Sequence, residues 1–449
     1  MKRLSVGEVQ SLFREYGAQA WLEMVLRHGK TFRVQEYVVT CDPRLVEPLM
    51  LDRAHTRRRS KPHRMLGRIP GAKGLLFLDG PRWEAQHRAL APTVTREHVA
   101  HYADLIHAAT LEWTRTCRGG PDLVAAMTGL GSNIVLRTGY GLDPSDPLAR
   151  DYARELIGYK HRAEPREPRY RLDVLAIGAE KLLSVPWLCS SFISLHRRTA
   201  RMRRLVPRLL AERARCPVHA SNWFDRLAAE QLPLSDLTSA LNHLYGAYNT
   251  LDYMTAAVLY DLSRHSEWRE RIRTELTTAL DDRPYPTTDE IQRVPLLWGA
   301  IRETLRLYPV ATSIFRQTGA PLELDGERIP AGSQVAILPY ALHRHPDYWE
   351  DPHAFKPDRW ARSPLPFTYI PFLIGPRKCL GQPQAELELL IRVSTILRAV
   401  DVDVDVDPQS AVLTPYILPR FATDLPFRVS PSHRETSLLP PGRRANALR

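Results

Sequence analysis

Apolar residues recur at helical spacing over most of this chain. The longest such stretch, DLTSALNHLYGAYNTLDYMTAAVLYDLSRH from residue 236 to about 265, is mostly apolar. A helix apolar nearly all round is buried, and at about 1.5 Å per residue this one would cross a whole domain. The spacing predicts further helices through residues 100–280, over WEAQHRALAPTV after the loop GLLFLDGPRW, and after residue 381, where Leu389, Leu390, Val393, Ile396, Leu397 and Val400 recur. Shorter segments follow a strand rhythm. Lys30 to Val39 reads as strand, and DPRLVEPLM after it as a short helix capped by Asp42. PLELDGERIPAGSQVAILPY gives short strands with turns at Asp325-Gly326 and Pro330-Ala331-Gly332. VDVDVDVDP at 400–408 alternates as a half-buried strand does. An EF-hand loop beginning at Asp401 would need Gly and Glu where Val406 and Val412 stand, and one beginning at Asp403 meets Pro408 and Thr414. A Pro- and charge-rich break, YKHRAEPREPRYR at 159–171, reads as a mobile loop between two helices.

Composition narrows the classes. The chain has 449 residues, 44% hydrophobic, enough for a large core, and no Gly/Ser-rich or Pro-rich linker divides it. Its five cysteines are scattered and odd in number, without a CxxC pair, which speaks against a disulfide scaffold or structural zinc and for a reducing compartment. The opening MKRLSVGEVQSLFREYGAQAWLEMVLRHGK is interrupted by Glu8, Arg14, Glu15 and Glu23. That favours an amphipathic helix packed on the body over a membrane anchor or cleavable signal, and predicts a cytoplasmic protein. The excess of 62 Lys and Arg over 50 Asp and Glu gives a formal charge of +12. Its densest basic run, HRRTARMRRLVPRLLAERAR at 196–215, alternates Arg with Leu and Val and lacks aromatic residues for base stacking. It reads as a solvated helix face, and no nucleic-acid partner is expected. The tail from Ser432 to Arg449 is polar and is expected to be flexible.

The stretch FLIGPRKCLG at 372–381 places Cys379 in a Gly/Pro-rich loop just before a helix. The unpaired N–H groups of that first turn, with Arg377 and Lys378 beside it, would favour a thiolate. A thiolate there can be a nucleophile, a redox sensor or a metal ligand. The same stretch resembles the haem-binding pattern F-x-x-G-x-R-x-C-x-G of the cytochrome P-450 superfamily at Phe372, Gly375, Arg377, Cys379 and Gly381. IRETLRLYP is similar to the family's E-x-x-R helix at Glu303 and Arg306, and FKPDRW to the segment that supplies a further arginine, Arg359. These motifs occur in family order, and the resemblance runs roughly from Lys30 to Val429.

The resemblance implies a mainly α fold with a small β subdomain: a long central helix crosses above the haem, and the cysteine loop lies below it. One such domain is expected over residues 1–431. Its β-rich part is expected mainly at 30–60, 315–340 and 400–429, and its helical part mainly at 80–310 and 382–399. It implies haem b (iron protoporphyrin IX) as cofactor, with Cys379 as axial iron ligand. N–H donors after Cys379, including that of Gly381, would tune the sulfur. Gly375 and Gly381 would let backbone approach the macrocycle, and Phe372 would shield the sulfur from water. Propionate contacts are implied for Arg377, Arg316 and Trp83; where the family commonly has W-x-x-x-R, His87 stands with Arg88 next, and either could make the contact. Glu303, Arg306 and Arg359 would form the buried network that anchors the cysteine loop.

On the central helix the family's A-G-x-D/E-T-T falls on Gly246-Ala247-Tyr248-Asn249-Thr250-Leu251. Gly246 and Ala247 would leave room for dioxygen, and Thr250 keeps the alcohol that orients a proton donor. Asn249, unlike the usual acid, cannot ionise, so proton relay would use water or Asp252. Substrate would be faced by the loop Lys61 to Phe77, the region Tyr159 to Arg171, Tyr245, Tyr248, Val310 to Ile314 with Thr312, Ser313 and Ile314, and Pro415 to Ile417 with Tyr416.

The implied activity is monooxygenation of a lipophilic small molecule such as a terpenoid, polyketide or fatty acid. Electrons would come from NAD(P)H through separate proteins, because no flavin or iron–sulfur domain fits in the chain. The basic residues Arg377 and Lys378 would suit an acidic ferredoxin or flavodoxin-like donor. The same fold also accommodates a peroxide-driven peroxygenase, a redox-partner-independent isomerase or dehydratase, or a haem sensor.

Overall fold

The computed structural model describes all residues except 53–59, 61–63, 65–73, 164–185, 216–221, 282, 415–419 and 433–449. The loop at 61–77, the later part of 159–171, Tyr416 and the tail beyond Ser432 therefore lie wholly or mostly outside the described residues.

The chain opens with β1 (Arg3–Leu4), α1 (Val6–Tyr16) and α2 (Ala20–His28). Ser5 and Glu8 close a capping box on α1: the Glu8 N–H donates to Ser5 Oγ at 3.2 Å and the Ser5 N–H to Glu8 Oε2 at 2.7 Å. The apolar faces of α1 and α2 bury Val9, Leu12, Phe13, Trp21, Met24 and Val25 in the body of the protein, so their amphipathic pattern is spent on the core. Among the described residues no helix is long and apolar enough to cross a membrane.

The expected strand at 30–39 is a hairpin, β2 (Thr31–Val34) and β3 (Tyr37–Thr40), turned through Gln35 at φ 50°. It is followed by α3 (Pro43–Leu51), whose cap Asp42 accepts from the Arg44 N–H at 3.0 Å. Next come α4 (Gly80–Leu90), α5 (Arg96–Ala100), α6 (Ala103–Thr116), β4 (Gly119–Gly120), α7 (Leu123–Thr138) and α8 (Pro147–Ala163). Since α8 extends to Ala163, the first residues of the expected 159–171 loop are helical. Then follow α9 (Pro186–Arg215), α10 (Trp223–Ala229), α11 (Leu234–Arg264), α12 (Ser266–Leu280) and α13 (Pro295–Leu307).

The second half of the β region is β5 (Ile314–Gln317), β6 (Leu322–Leu324), β7 (Glu327–Ile329) and β8 (Gln334–Ile337), followed by α14 (Pro339–Leu342). The chain then runs through α15 (Gln382–Ala399), β9 (Val400–Val404) and β10 (Phe427–Pro431). The main sheet has the order β1-β2-β3-β8-β5, so the opening strands pair with strands about 300 residues later, while β4, β10 and β9 form a separate sheet. β9 pairs antiparallel with β10 but ends at Val404, short of the expected 408, and Asp401 is buried between Val400 and Val402 because Arg273 bonds its carboxylate.

α11 is the axis of the helical part. Its 31 residues pack against α7, α9, α13 and α15, and its buried side chains run from Leu237 to Leu262 on nearly every face. α15 lies behind it and carries Glu388 and Arg392, both fully buried, at its middle.

Candidate functional site

The cysteine loop is held by its own backbone. A one-turn 3₁₀ segment at Gly375–Arg377 folds it, and the Cys379 N–H donates to the Phe372 carbonyl at 2.7 Å. Gly375 stands at φ 72°, and an added Cβ would collide with the Met50 carbonyl at the end of α3. That backbone crossing by itself requires glycine here. At Gly381, by contrast, no described residue lies within 4 Å of an added Cβ.

The Cys379 side chain is exposed, yet burial raises its pKa above the ordinary thiol value. The space beside it is therefore a cleft inside the fold. Hydrogen bonding from the Gly381 N–H, the charge of Lys378 and the Gln382 N–H work the other way and favour the thiolate. Burial outweighs the helix start and the cations, so Cys379 alone is not the stabilised thiolate that the sequence suggests. A positive ion at the sulfur would reverse that balance.

A second group of residues lies near the loop. Arg377 donates to the Leu78 carbonyl at 3.2 Å and to Asp79 Oδ1 at 3.1 Å, and its guanidinium lies 4.0 Å from the centre of the Trp83 ring. It therefore turns inward, and of the two loop cations only Lys378 is exposed. His87 lies against Trp83, with ring centres 4.6 Å apart and the planes tilted by 35°. Burial, then the nearby Arg377, lowers its pKa. Arg88 is exposed, so of the two candidates His87 is the one facing Trp83 and Arg377.

Arg316 on β5 is 4% exposed. One of its nitrogens donates to the Phe315 carbonyl at 3.0 Å, while Nε and Nη2 have no partner among the described residues. Burial first, then Arg377, brings its pKa down to about 10. A buried guanidinium with unused donors beside a second arginine is a site that asks for anions.

Glu303 and Arg306 on α13 form the expected buried pair, with Arg306 Nε and Nη2 donating to the two Glu303 oxygens at 3.0 and 2.8 Å. Arg359 Nε adds a bond of 2.9 Å to Glu303. Arg306 also reaches the carbonyls of His343, Pro352 and Ala354, and Arg359 those of Glu350 and Asp351. Two partners were not foreseen from sequence: the Trp360 indole N–H and the Lys356 backbone N–H both donate to Glu303, at 3.1 Å each. The Trp beside Arg359 in FKPDRW is the signal that could have suggested the first.

On α11, Ala247 is exposed and Gly246 and Thr250 are half-buried, so this side of a deeply buried helix borders open space. No described residue stands within 4 Å of a Cβ added at Gly246. The Thr250 hydroxyl donates to the Ala247 carbonyl at 2.7 Å, and Asn249 Nδ2 to the Tyr245 carbonyl at 2.8 Å.

Three expectations for this helix are corrected. Tyr245 does not face substrate: it is buried, and its hydroxyl bonds Ser132 Oγ on α7 at 2.7 Å. Tyr248 turns to α15, donating to Glu388 and accepting from Arg392 at 2.8 Å. Asp252 is no relay for Thr250, because Arg392 holds its carboxylate at 2.8 Å on the same buried side. At 100° per residue, positions 248 and 252 fall nearly opposite 250 on the helix. Thr312, Ser313 and Ile314 are all buried at the start of β5, with Ser313 Oγ unpartnered among the described residues.

The family profile Cytochrome P450 matches residues 228–423. Human cytochrome P450 3A5 is 33% identical over 171 residues, covering 37% of this chain and 34% of that protein. Lithocholate 6-beta-hydroxylase of Mesocricetus auratus is 33% identical over 175 residues, 37% of this chain and 35% of that protein. The matched part thus spans about a third of the length of these curated relatives.

Solved structures match almost end to end. The haem domain of cytochrome P450DA superposes with a TM-score of 0.76 at 21% identity, covering 94% of this chain and 95% of that one. A six-coordinated cytochrome P450 from Thermus thermophilus gives 0.69 at 22%, covering 96% and 99%. The retinoic acid-bound cyanobacterial CYP120A1 gives 0.76 at 17%, covering 94% and 96%. At these identities the likeness concerns the fold, and it is the expected one. Together with the family profile over α11, α13 and the segment leading into and beyond the cysteine loop, it marks a chain with the cytochrome P450 fold whose residues 228–423 match the cytochrome P450 family.

Proposed function

We propose that this protein is a haem-thiolate monooxygenase that inserts one oxygen atom of O₂ into a lipophilic small molecule, with electrons from NAD(P)H delivered by separate proteins. The observation that carries the reading is Cys379, an open thiol inside the fold with N–H donors aimed at it. The unused Arg316 donors near Arg377 fit haem b, whose propionates would satisfy them. Bound through a thiolate, that cofactor supplies O–O bond cleavage.

The chain's own groups have separable tasks. Cys379 gives the iron its ligand, and the Gly381 and Gln382 N–H groups temper the sulfur's basicity. Arg316, Arg377, Trp83 and His87 hold the propionate side. Gly246 and Ala247 leave space on the opposite wall, and the Thr250 hydroxyl holds a proton donor there. Val310 and Ala311, both half-buried, offer an apolar surface to substrate. The names of two related proteins, a lithocholate hydroxylase and a retinoic acid-bound P450, are in keeping with a lipophilic ligand. Exposed Lys378 suits an acidic ferredoxin or flavodoxin-like donor, and the scattered cysteines favour the cytoplasm.

One observation favours a second reading. Asn249 replaces the usual acid, so turnover driven by peroxide, which brings its own protons, is the alternative. Product formation with NAD(P)H and redox proteins, against product formation with peroxide alone, separates the two.

The first test is spectroscopic. The reduced carbon monoxide complex of the purified protein should show the long-wavelength Soret band of a thiolate-ligated haem, and Cys379→Ala should abolish it. A histidine-type band in fresh wild-type protein overturns the assignment.

A further inference from the structure

The polar groups buried between α11 and α15 are not used by the reading above, although it would depend on where they hold α11. Arg392 lies at their centre with no exposed surface. It donates to Asp252 Oδ1 at 2.8 Å, to Glu388 Oε1 at 2.5 Å and to the Tyr248 hydroxyl at 2.8 Å. Tyr248 passes the contact on by donating to Glu388. One guanidinium thus ties two positions a turn apart on α11 to α15, the helix that begins just after Cys379. The third wall is α7. Gly131 lies so close to Asp252 that any Cβ there would collide with the carboxylate. The joint therefore has room for a charge only because that position is glycine.

Its place on α11 gives the joint a directional effect. Tyr248 and Asp252 lie on the back of the helix, while Ala247 and Thr250 lie on the face that borders open space. Two points held one turn apart on the back fix the roll of the helix about its axis. Any roll moves the Thr250 hydroxyl across the front.

We infer that Arg392 is a positioning residue for the oxygen-binding face: by bonding Tyr248, Asp252 and Glu388 at once, it sets the rotation of α11 and hence the place of Thr250 relative to the Cys379 side. This rests on the haem-thiolate reading. Arg392 touches neither cofactor nor substrate in this role. A lysine keeps the charge but is a point donor on a flexible stem and cannot reproduce the planar fork.

The test uses the haem-loaded proteins and reads the C–O stretching band of the reduced carbon monoxide complex, which senses the polar groups around the bound gas. Arg392→Lys, Tyr248→Phe and Gly131→Ala should each shift or split that band and lower the fraction of NAD(P)H converted to product. The control is Arg273→Lys, which loosens a comparable buried contact far from this face: Arg273 bonds Asp401 at 2.7 Å and the Leu397 and Val400 carbonyls. It should lower stability and leave the band in place. Should Arg392→Lys fail to load haem, Tyr248→Phe and Gly131→Ala supply the reading.

Unchanged bands and unchanged product yield in the loaded variants overturn the inference, as does an equal band shift in Arg273→Lys. A wild-type protein without the thiolate band fails the underlying haem-thiolate reading instead, and the two failures are distinguishable.

Discussion

Asn249 is where a single side chain sets the expected chemistry apart from the family pattern. Its amide donates to the Tyr245 carbonyl at 2.8 Å, which holds it along the helix, and it has no proton to pass on at neutral pH. An ionised aspartate cannot make that bond, so Asn249→Asp should either keep a proton or turn away from the carbonyl. Both outcomes supply a titratable group beside Thr250. The expected result is more product per NADPH consumed and less leakage to hydrogen peroxide, with Thr250→Ala shifting both in the opposite direction. Coupling ratio and substrate affinity, measured under one set of redox proteins, check this. Unchanged coupling with a collapse in affinity would place Asn249 in the substrate site. At this scale the sequence placed Cys379 in a loop just before a helix, as the structure has it, but the neighbours that would favour its thiolate are outweighed by burial. The sequence was a poor guide to Tyr245 and Tyr248. Their types suggest a substrate wall, but helix rotation, which short motifs do not specify, takes their hydroxyls to α7 and α15.

Among the elements, α13 and the segment that carries Arg359 show why a motif can be legible and still incomplete. Glu303 and Arg306 are three residues apart, so the helix alone brings them together, and on a surface such a pair is worth only about 0.2–0.5 kcal/mol. Here both are fully buried; removing Glu303 leaves the Arg306 charge without a carboxylate at a cost of about 3–5 kcal/mol, and removing Arg306 leaves Glu303 with Arg359 as its remaining cation among the described residues. Glu303→Ala or Arg306→Ala should therefore give protein with little haem, as read from the haem-to-protein absorbance ratio. Normal haem content with only altered turnover would show that the pair does not anchor the cysteine loop. The contact of Lys356 with Glu303 was hidden because it is made by a backbone N–H that no residue type marks, and that of Trp360 was signalled only by its place beside Arg359. The role of Arg392 was hidden too. With Glu388 it reads as an ordinary i,i+4 surface pair, and its other partners lie about 140 positions earlier in the chain. The long helix and the strands were legible for the opposite reason, because period and turn residues are local.

For the whole molecule, the buried carboxyl of Asp261 near the end of α11 couples stability to pH. It is 2% exposed and accepts from the Thr304 hydroxyl at 2.8 Å. Burial raises its pKa from 3.8 to about 7, and the Glu303 carboxylate adds to the rise, while the Thr304 and Tyr308 hydroxyls and Arg264 oppose it. A carboxyl with a raised folded-state pKa keeps its proton in the fold after the unfolded chain has lost it. Between about pH 4 and 7 the folded state therefore binds the extra proton, and its stability falls as pH rises. The contribution is intact below the lower value, declines by up to about tenfold in the folding constant per pH unit, and levels off above the upper one. Asp261→Asn removes the titration while keeping an oxygen that can accept from Thr304. The variant should gain on the wild type steadily from pH 5 to pH 7 and hold that advantage at pH 8, as measured by thermal unfolding of the two proteins in matched buffers. A difference that is flat with pH would mean that Asp261 is already ionised in the folded protein at pH 5. The Thr304, Tyr308 and Arg264 contacts would then outweigh its burial.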